Sequence, residues 1–161
     1  MGIRMRQSPA IDRMRHLRTV WGSTGAELAQ VDRLTYELEV PAGAVVISEG
    51  SPPQGFFLVM SGRAMVSVAG VNCEVLEPGT FFGEASSIDR GPEPATVTAL
   101  SDLVLRVATR REFQELSKIT FVARALLRAL GTNRRLVLQK QRCQTWAEGE
   151  GFDRTALSQP Q

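Results

Sequence analysis

The chain has 161 residues, 43% of them hydrophobic, which is the size and composition of one globular domain with a single core. Its 19 Lys and Arg residues nearly balance its 17 Asp and Glu residues, so the chain as a whole lacks the charge excess that indicates a polyanionic partner. The cysteines form no CxxC pair and no apolar run approaches the roughly 20 residues that span a bilayer, which excludes a zinc or disulfide framework and predicts a cytoplasmic protein without a membrane span.

Residues 1–24 are rich in arginine and are predicted to form a basic N-terminal extension. A helix is predicted to follow, because Thr24 and Glu27 have the spacing of a capping box, in which each residue's side chain accepts a hydrogen bond from the other's backbone. Apolar residues then recur three to four positions apart, which is typical of an amphipathic helix. These residues are Leu28, Val31, Leu34 and Leu38.

The spacing of the apolar residues is no longer helical between residues 39 and 108, where short β-prone runs alternate with glycine-containing turns. Several short strands at this spacing favour a β-sandwich or barrel, with helices before and after it. The β-prone runs are 45–47, 56–59, 64–68, 74–76 and 95–99. The side chains that we expect mostly inside are Leu58, Met60, Val66, Val75, Phe81 and Val97.

Helices are predicted for residues 109–146. Thr109 and Glu112 form a second capping box, which opens a helix that runs through Leu116. A longer helix is predicted over about 121–143, with an apolar stripe opposite a face of Arg and Lys side chains. The polar residues 147–161 are predicted to form a flexible tail.

Five short motifs occur in an order and spacing that resemble the cyclic nucleotide-binding domain family, as in the catabolite activator protein and the regulatory subunit of the cyclic AMP-dependent kinase. They are Val-Pro-Ala-Gly at 40–43, Ser-Glu-Gly at 48–50, Phe-Leu-Val-Met-Ser-Gly at 57–62, Pro-Gly-Thr-Phe-Phe-Gly-Glu at 78–84 and Ala-Thr-Val-Thr-Ala at 95–99. The resemblance implies a domain over 25–146. Its fold would be a double-stranded β-helix, a jelly-roll-like β-roll of eight strands with N-terminal and C-terminal α-helices.

The resemblance also implies a binding site for cAMP or cGMP, with no other cofactor. In the family, the cyclic phosphate lies at the start of a short helix, where free N–H groups and the helix dipole favour an anion. Glu84 matches the carboxylate that accepts a hydrogen bond from the ribose 2′-hydroxyl. The implied ligand-binding residues are Phe82, Gly83, Glu84, Ala85, Ser86, Ser87, Arg90, Glu93, Pro94, Ala95 and Thr96.

The sequence departs from the family pattern at the phosphate arginine. That arginine precedes Ala-Thr by two residues, and this chain has Glu93 at the position, followed by Pro94. Two unit charges about 4 Å apart interact by about 4 kcal/mol at an effective dielectric constant near 20, so attraction of the phosphate becomes repulsion. Pro94 removes a backbone N–H and offers no hydroxyl. We therefore expect cAMP or cGMP binding to be weak or lost.

Two alternatives remain open at this stage. The implied phosphate-binding segment, residues 82–87, is called the cassette below. Arg90 could fold back over this cassette as a substitute cation, with Ser86 and Ser87 adding hydroxyl donors, or it could be a solvated loop charge. Glu93 could point into the site, or outward from a disused pocket. The intact Phe82-Gly83-Glu84 run, with Arg90 as the cation, favours a functional cAMP sensor. Glu93 and Pro94 favour a regulatory module that keeps the roll as a scaffold.

Other functions lack the residues that they need. The single histidine, His16, lies outside the roll, so a metal site and a Ser-His or Cys-His catalytic pair are both unsupported, and we expect no enzyme. Fewer than about 20 residues follow Cys143, too few for a helix-turn-helix, so we expect no DNA-binding domain. In the family the last helix closes over the base or pairs in a dimer. We therefore expect a protein partner or a homodimer through Leu126, Leu130 and Val137.

Overall fold

The computed structural model describes residues 4–6 and 22–128, which belong to the first of two units into which the chain divides, residues 1–129. The expected tail, and the expected last helix beyond residue 128, lie outside the described residues. The described elements are β1 (Arg4–Arg6), α1 (Gly25–Leu34), β2 (Tyr36–Val40), β3 (Val45–Ile47), β4 (Phe56–Ser61), β5 (Ala64–Val68), β6 (Val71–Leu76), β7 (Phe81–Phe82), α2 (Glu84–Asp89), β8 (Thr96–Ala99), β9 (Leu103–Ala108), α3 (Arg110–Leu116) and α4 (120–128).

The described strands form two antiparallel sheets. One sheet has the order β1-β2-β9-β4-β7 and the other has the order β3-β8-β5-β6. Strands β2 to β9 make up the predicted eight-stranded roll, so the mainly β fold with flanking helices is confirmed. The first strand, β1, comes from the N-terminal extension and pairs with β2, which places Met5 opposite Leu38.

The N-terminal helix begins as predicted and ends earlier. Both capping-box bonds are present: Thr24 Oγ1 accepts from Glu27 N at 3.2 Å, and Thr24 N donates to the Glu27 carboxylate at 2.8 Å. The prediction that Leu38 continues the helix was wrong, because it lies in β2 opposite Leu105 of β9. The ladder between β2 and β9 outweighs a helical period that only one further apolar residue supports.

The core consists of two clusters that meet at β4. Alternate side chains of a strand face opposite sides, so Phe56, Leu58 and Met60 pack against the helices while Phe57 and Val59 pack inside the roll. Four of the expected core residues are buried: Leu58, Met60, Val66 and Val97. Phe81 is half-buried. Val75 was wrongly predicted, because its neighbour Leu76 faces the core and Val75 is therefore turned outward, 38% exposed.

An ion pair between the buried Arg106 and the partly exposed Asp32 attaches α1 to the roll. Arg106, on β9, is 3% exposed and donates to Asp32 Oδ1 at 2.6 Å, to Thr35 Oγ1 at 2.8 Å and to the Thr35 carbonyl at 2.9 Å. Burial lowers the pKa of the Arg106 guanidinium, and the charges of Asp32 and Glu37 partly oppose that shift. The C-terminal end of α1 is therefore held to a central strand by several bonds from one side chain.

The C-terminal helices pack on α1 and on the outer side of β4. The predicted capping box at Thr109 and Glu112 is present and starts α3. On α4, Leu126 is 6% exposed and belongs to the helical core, whereas the adjacent Leu127 is 70% exposed. Leu126 therefore packs within the chain, and its expected lid or intersubunit role stays a prediction. Leu130 and Val137 lie outside the described residues.

Candidate functional site

The cassette extends from the end of β7 into the first turn of α2, and it is anchored by Phe82. The Phe82 side chain is buried, and its ring stacks on Phe57 of β4 with centroids 4.8 Å apart and an interplanar angle of 6°. The two residues are also partners in the β4–β7 ladder. The entry into α2 is therefore fixed to a central strand of the roll.

Gly83 makes the turn from β7 into α2 and could not be replaced without strain. Its φ is +79°, in the left-handed region that L side chains rarely adopt. A Cβ at this position would lie 2.3 Å from the carbonyl oxygen of Gly55. The start of α2 is thus pressed against the segment that leads into β4.

The first turn of α2 presents backbone donors. The first intrahelical bond joins Ser87 N to the Gly83 carbonyl at 3.3 Å, so the N–H groups of Ala85 and Ser86 precede the helical ladder. The Ser87 hydroxyl donates to the same carbonyl at 2.7 Å. Glu84 is 6% exposed and Ala85 is half-buried. The described backbone keeps the geometry of a short helix start at which an anion can bind.

Glu93 turns inward toward this helix. Its side chain is 3% exposed, and its Oε1 accepts from the hydroxyl of Ser86 at 2.8 Å and from the backbone N–H of Gln54 at 3.2 Å. No cation pairs with it among residues 22–128. Of the two orientations left open by the sequence, the structure therefore has the inward one, and it brings an acidic group to the first turn of the cassette helix.

The backbone of Glu93 is hydrogen-bonded to the loop between β3 and β4. Glu93 N donates to the Ser51 carbonyl at 2.8 Å, and the Glu93 carbonyl accepts from Gly50 N at 2.8 Å. Pro94 is exposed and Ala95 packs against the inner core cluster. Thr96 Oγ1 accepts from the N–H of Glu49 at 3.0 Å. The segment is thus fastened to the loop between β3 and β4 on both sides of Glu93.

Arg90 lies at the end of α2 and is not brought to Glu93. Its φ is +63°, its backbone N–H donates to the Ser86 carbonyl at 3.1 Å, and its side chain is exposed. Within residues 22–128, its guanidinium makes no hydrogen bond or ion pair. In this structure Arg90 is therefore a solvated charge and does not cover the cassette.

Two contacts of the site were missed from the sequence. Gln54 contributes through its backbone N–H, for which no side-chain signal exists. Glu49 accepts from Ala69 N at 2.8 Å, and Ala69 has a φ of +50°. The Ser-Glu-Gly motif pointed to this position without revealing that its carboxylate supports the β5–β6 turn.

Metal and membrane features are missing from the described part of the chain. No group of three or more His, Cys, Asp or Glu side chains within it could hold a metal ion. None of its helices combines the length and the apolar character that crossing a bilayer requires.

Comparison with known proteins connects this geometry to a family. The family described as the cyclic nucleotide-binding domain matches residues 37–119, which is more than half of the chain and includes β2 to β9, the cassette and Glu93. The chain belongs to the cyclic nucleotide-binding domain family. The resemblance inferred from the five motifs is therefore confirmed.

Relatives of this cyclic nucleotide-binding domain include longer proteins. A cyclic nucleotide-gated potassium channel of Mesorhizobium japonicum is 40% identical over 91 residues, 56% of this chain and 25% of the channel. A cAMP-dependent protein kinase regulatory subunit of Aspergillus niger is 32% identical over 92 residues, 56% of this chain and 22% of the subunit. The chain thus spans about a quarter of the length of these relatives.

The fold of this cyclic nucleotide-binding domain is also found in a solved regulator. The catabolite activator protein of Thermus thermophilus superposes with a TM-score of 0.65 at 24% sequence identity, and the match covers 77% of this chain and 61% of that protein. At this identity, the likeness supports the β-roll fold alone.

Proposed function

We propose that this chain is a non-enzymatic, cytoplasmic regulatory module whose binding of cAMP and cGMP is weak or lost, and that it acts through contacts with another protein. The observation that carries the proposal is the buried carboxylate of Glu93, 2.8 Å from the Ser86 hydroxyl in the first turn of α2. Family membership supplies the ligand class, and the position of Glu93 sets this member apart from the family pattern.

Electrostatic repulsion is the reason for weak binding. A cyclic phosphate on the N–H groups of Ala85 and Ser86 would lie beside the Glu93 carboxylate, which is held in place by its own hydrogen bonds. At an effective dielectric constant near 20, two like charges about 4 Å apart repel by about 4 kcal/mol. A penalty of that size lowers affinity by about a thousandfold.

Two observations support a regulatory role: the described residues hold none of the catalytic or metal-binding groups considered above, and the relatives include regulatory proteins. Neither a metal-ligand cluster nor a Cys-His or Ser-His pair is found within residues 22–128. Relatives that share the domain include a kinase regulatory subunit and a gated channel. A module of this kind passes a signal through a protein contact, for which Leu130 and Val137, outside the described residues, are the proposed contact residues.

Calorimetric titration of the purified protein with cAMP and with cGMP tests the proposal. We expect no binding at micromolar ligand concentrations. A Kd in the micromolar range or below for either nucleotide would contradict weak or lost binding.

A second candidate function is that of a cAMP sensor in which Arg90 provides the cation. The observation that favours it is that Arg90 follows the last residue of the cassette helix and that its guanidinium is exposed, with no partner within residues 22–128. In that case the native protein binds cAMP, and Arg90→Ala abolishes the binding. Arg63→Ala is a suitable control, because it removes a cation from outside the cassette.

A further inference from the structure

We propose that Glu93, Ser86 and the backbone of Gln54 form an internal clasp that holds α2 in place without a ligand. The cassette of this domain is then ordered at all times and does not respond to cyclic nucleotides. The inference deepens the proposed function, since it assigns to Glu93 a positioning role in addition to repulsion.

The clasp joins three separate segments of the chain. Ser86 belongs to α2, Gln54 belongs to the loop before β4, and Glu93 belongs to the loop before β8. One carboxylate oxygen accepts from both donors, at 2.8 Å from the Ser86 hydroxyl and at 3.2 Å from the Gln54 N–H. The backbone bonds of Glu93 to Ser51 and Gly50 hold the carboxylate on the loop side. The side chain therefore ties α2 to a framework that is already fixed.

Both side chains of the Glu93–Ser86 hydrogen bond are buried, which increases the cost of breaking it. Glu93 is 3% exposed and Ser86 is 1% exposed, and a buried polar group costs free energy unless it is hydrogen-bonded. Bonds to an ionised acceptor are about twice as strong as bonds between neutral groups. The carboxylate thereby holds α2 through the Ser86 hydroxyl without a bound ligand.

The helix needs such support. At six residues, α2 is far below the length at which an isolated helix is stable in water, so its order depends on tertiary contacts. Its C-terminal end is exposed from Ile88 to Arg90. The contacts at its N-terminal end include the Phe82–Phe57 stack, the Gly83–Gly55 approach and the clasp. Loss of the clasp should therefore increase the opening of the whole helix.

Amide hydrogen exchange without nucleotide tests the clasp. In the native protein we expect slow exchange at Ser87 and Arg90, whose amides donate within the helix, and no change when millimolar cAMP is added. Ser86→Ala and Glu93→Arg should each speed exchange at these amides by at least about tenfold, the change expected from losing one hydrogen bond to a charged group. Glu93→Gln keeps a neutral acceptor for both donors and should fall between the native protein and Ser86→Ala.

A matched control separates the clasp from general charge effects. Glu77→Arg makes the same charge change at an exposed position and should leave exchange in α2 unchanged. Exchange in Ser86→Ala within twofold of the native rate would overturn the clasp, even if Glu93→Arg fails to fold. Tight cAMP binding by a native protein whose α2 is already protected would overturn the proposed function and leave the clasp intact.

Discussion

Replacing Gly83 with alanine should destabilise the domain more than the same change at any open turn. The residue has φ +79°, and the left-handed region costs an L-residue about 1–2 kcal/mol. The new Cβ would also lie 2.3 Å from the Gly55 carbonyl oxygen, a backbone atom that cannot rotate away, and such overpacking typically costs about 1–3 kcal/mol. The expected loss in the free energy of unfolding is therefore about 2–5 kcal/mol.

Urea unfolding of two variants measures the part that comes from the close approach. Gly43→Ala is the control, because Gly43 has φ +84° and nothing within 4 Å of the position of its Cβ. It should lose only the conformational term, about 1–2 kcal/mol. If Gly83→Ala loses no more stability than Gly43→Ala, the contact between the start of α2 and Gly55 does not constrain the cassette, and the reasoning is refuted.

Two further matched pairs test the attachment of the helices. Arg106→Ala removes a buried cation that bonds to Asp32 and Thr35, and it should lower the free energy of unfolding by at least about 2 kcal/mol. Lys118→Ala breaks the exposed pair with Glu115 and should change the free energy of unfolding by less than about 0.5 kcal/mol. Leu126→Ala should lower it by about 2–4 kcal/mol, and Leu127→Ala by less than about 0.5 kcal/mol, in thermal or urea unfolding. Equal effects within either pair would contradict the packing described.

Much of the fold could be predicted because its signals are local. Thr24 and Thr109 start helices through contacts with residues three positions away, which the sequence shows directly. The β-prone runs and their glycine turns likewise indicated strands, and the family motifs placed the cassette. Pairing of strands is not local, so the ladder between β2 and β9, which takes Leu38 from the helix, was missed.

The orientation of the site side chains could not be predicted for the same reason. Glu93 faces inward because Ser86 and Gln54, 7 and 39 positions away, donate to it. One of these donors is a backbone N–H, which no residue type indicates. A charge argument from the sequence could therefore state what Glu93 would do if it faced the site, while only the three-dimensional arrangement shows that it does so.

The measurement that tests the central claim most directly is the affinity for cAMP of native protein and of Glu93→Arg, determined by calorimetry. The change removes a repulsion of about 4 kcal/mol and supplies a bidentate phosphate donor, whose charge-assisted bond contributes about 1.5–3 kcal/mol. These gains exceed the cost of the roughly tenfold opening of α2 that loss of the Ser86 bond causes, so affinity should rise at least about tenfold. Pro94→Ser, which restores an N–H and a hydroxyl, should raise it further. Equal binding by native protein and by the double variant, whether tight or absent, would contradict the claim that Glu93 is the barrier to the nucleotide.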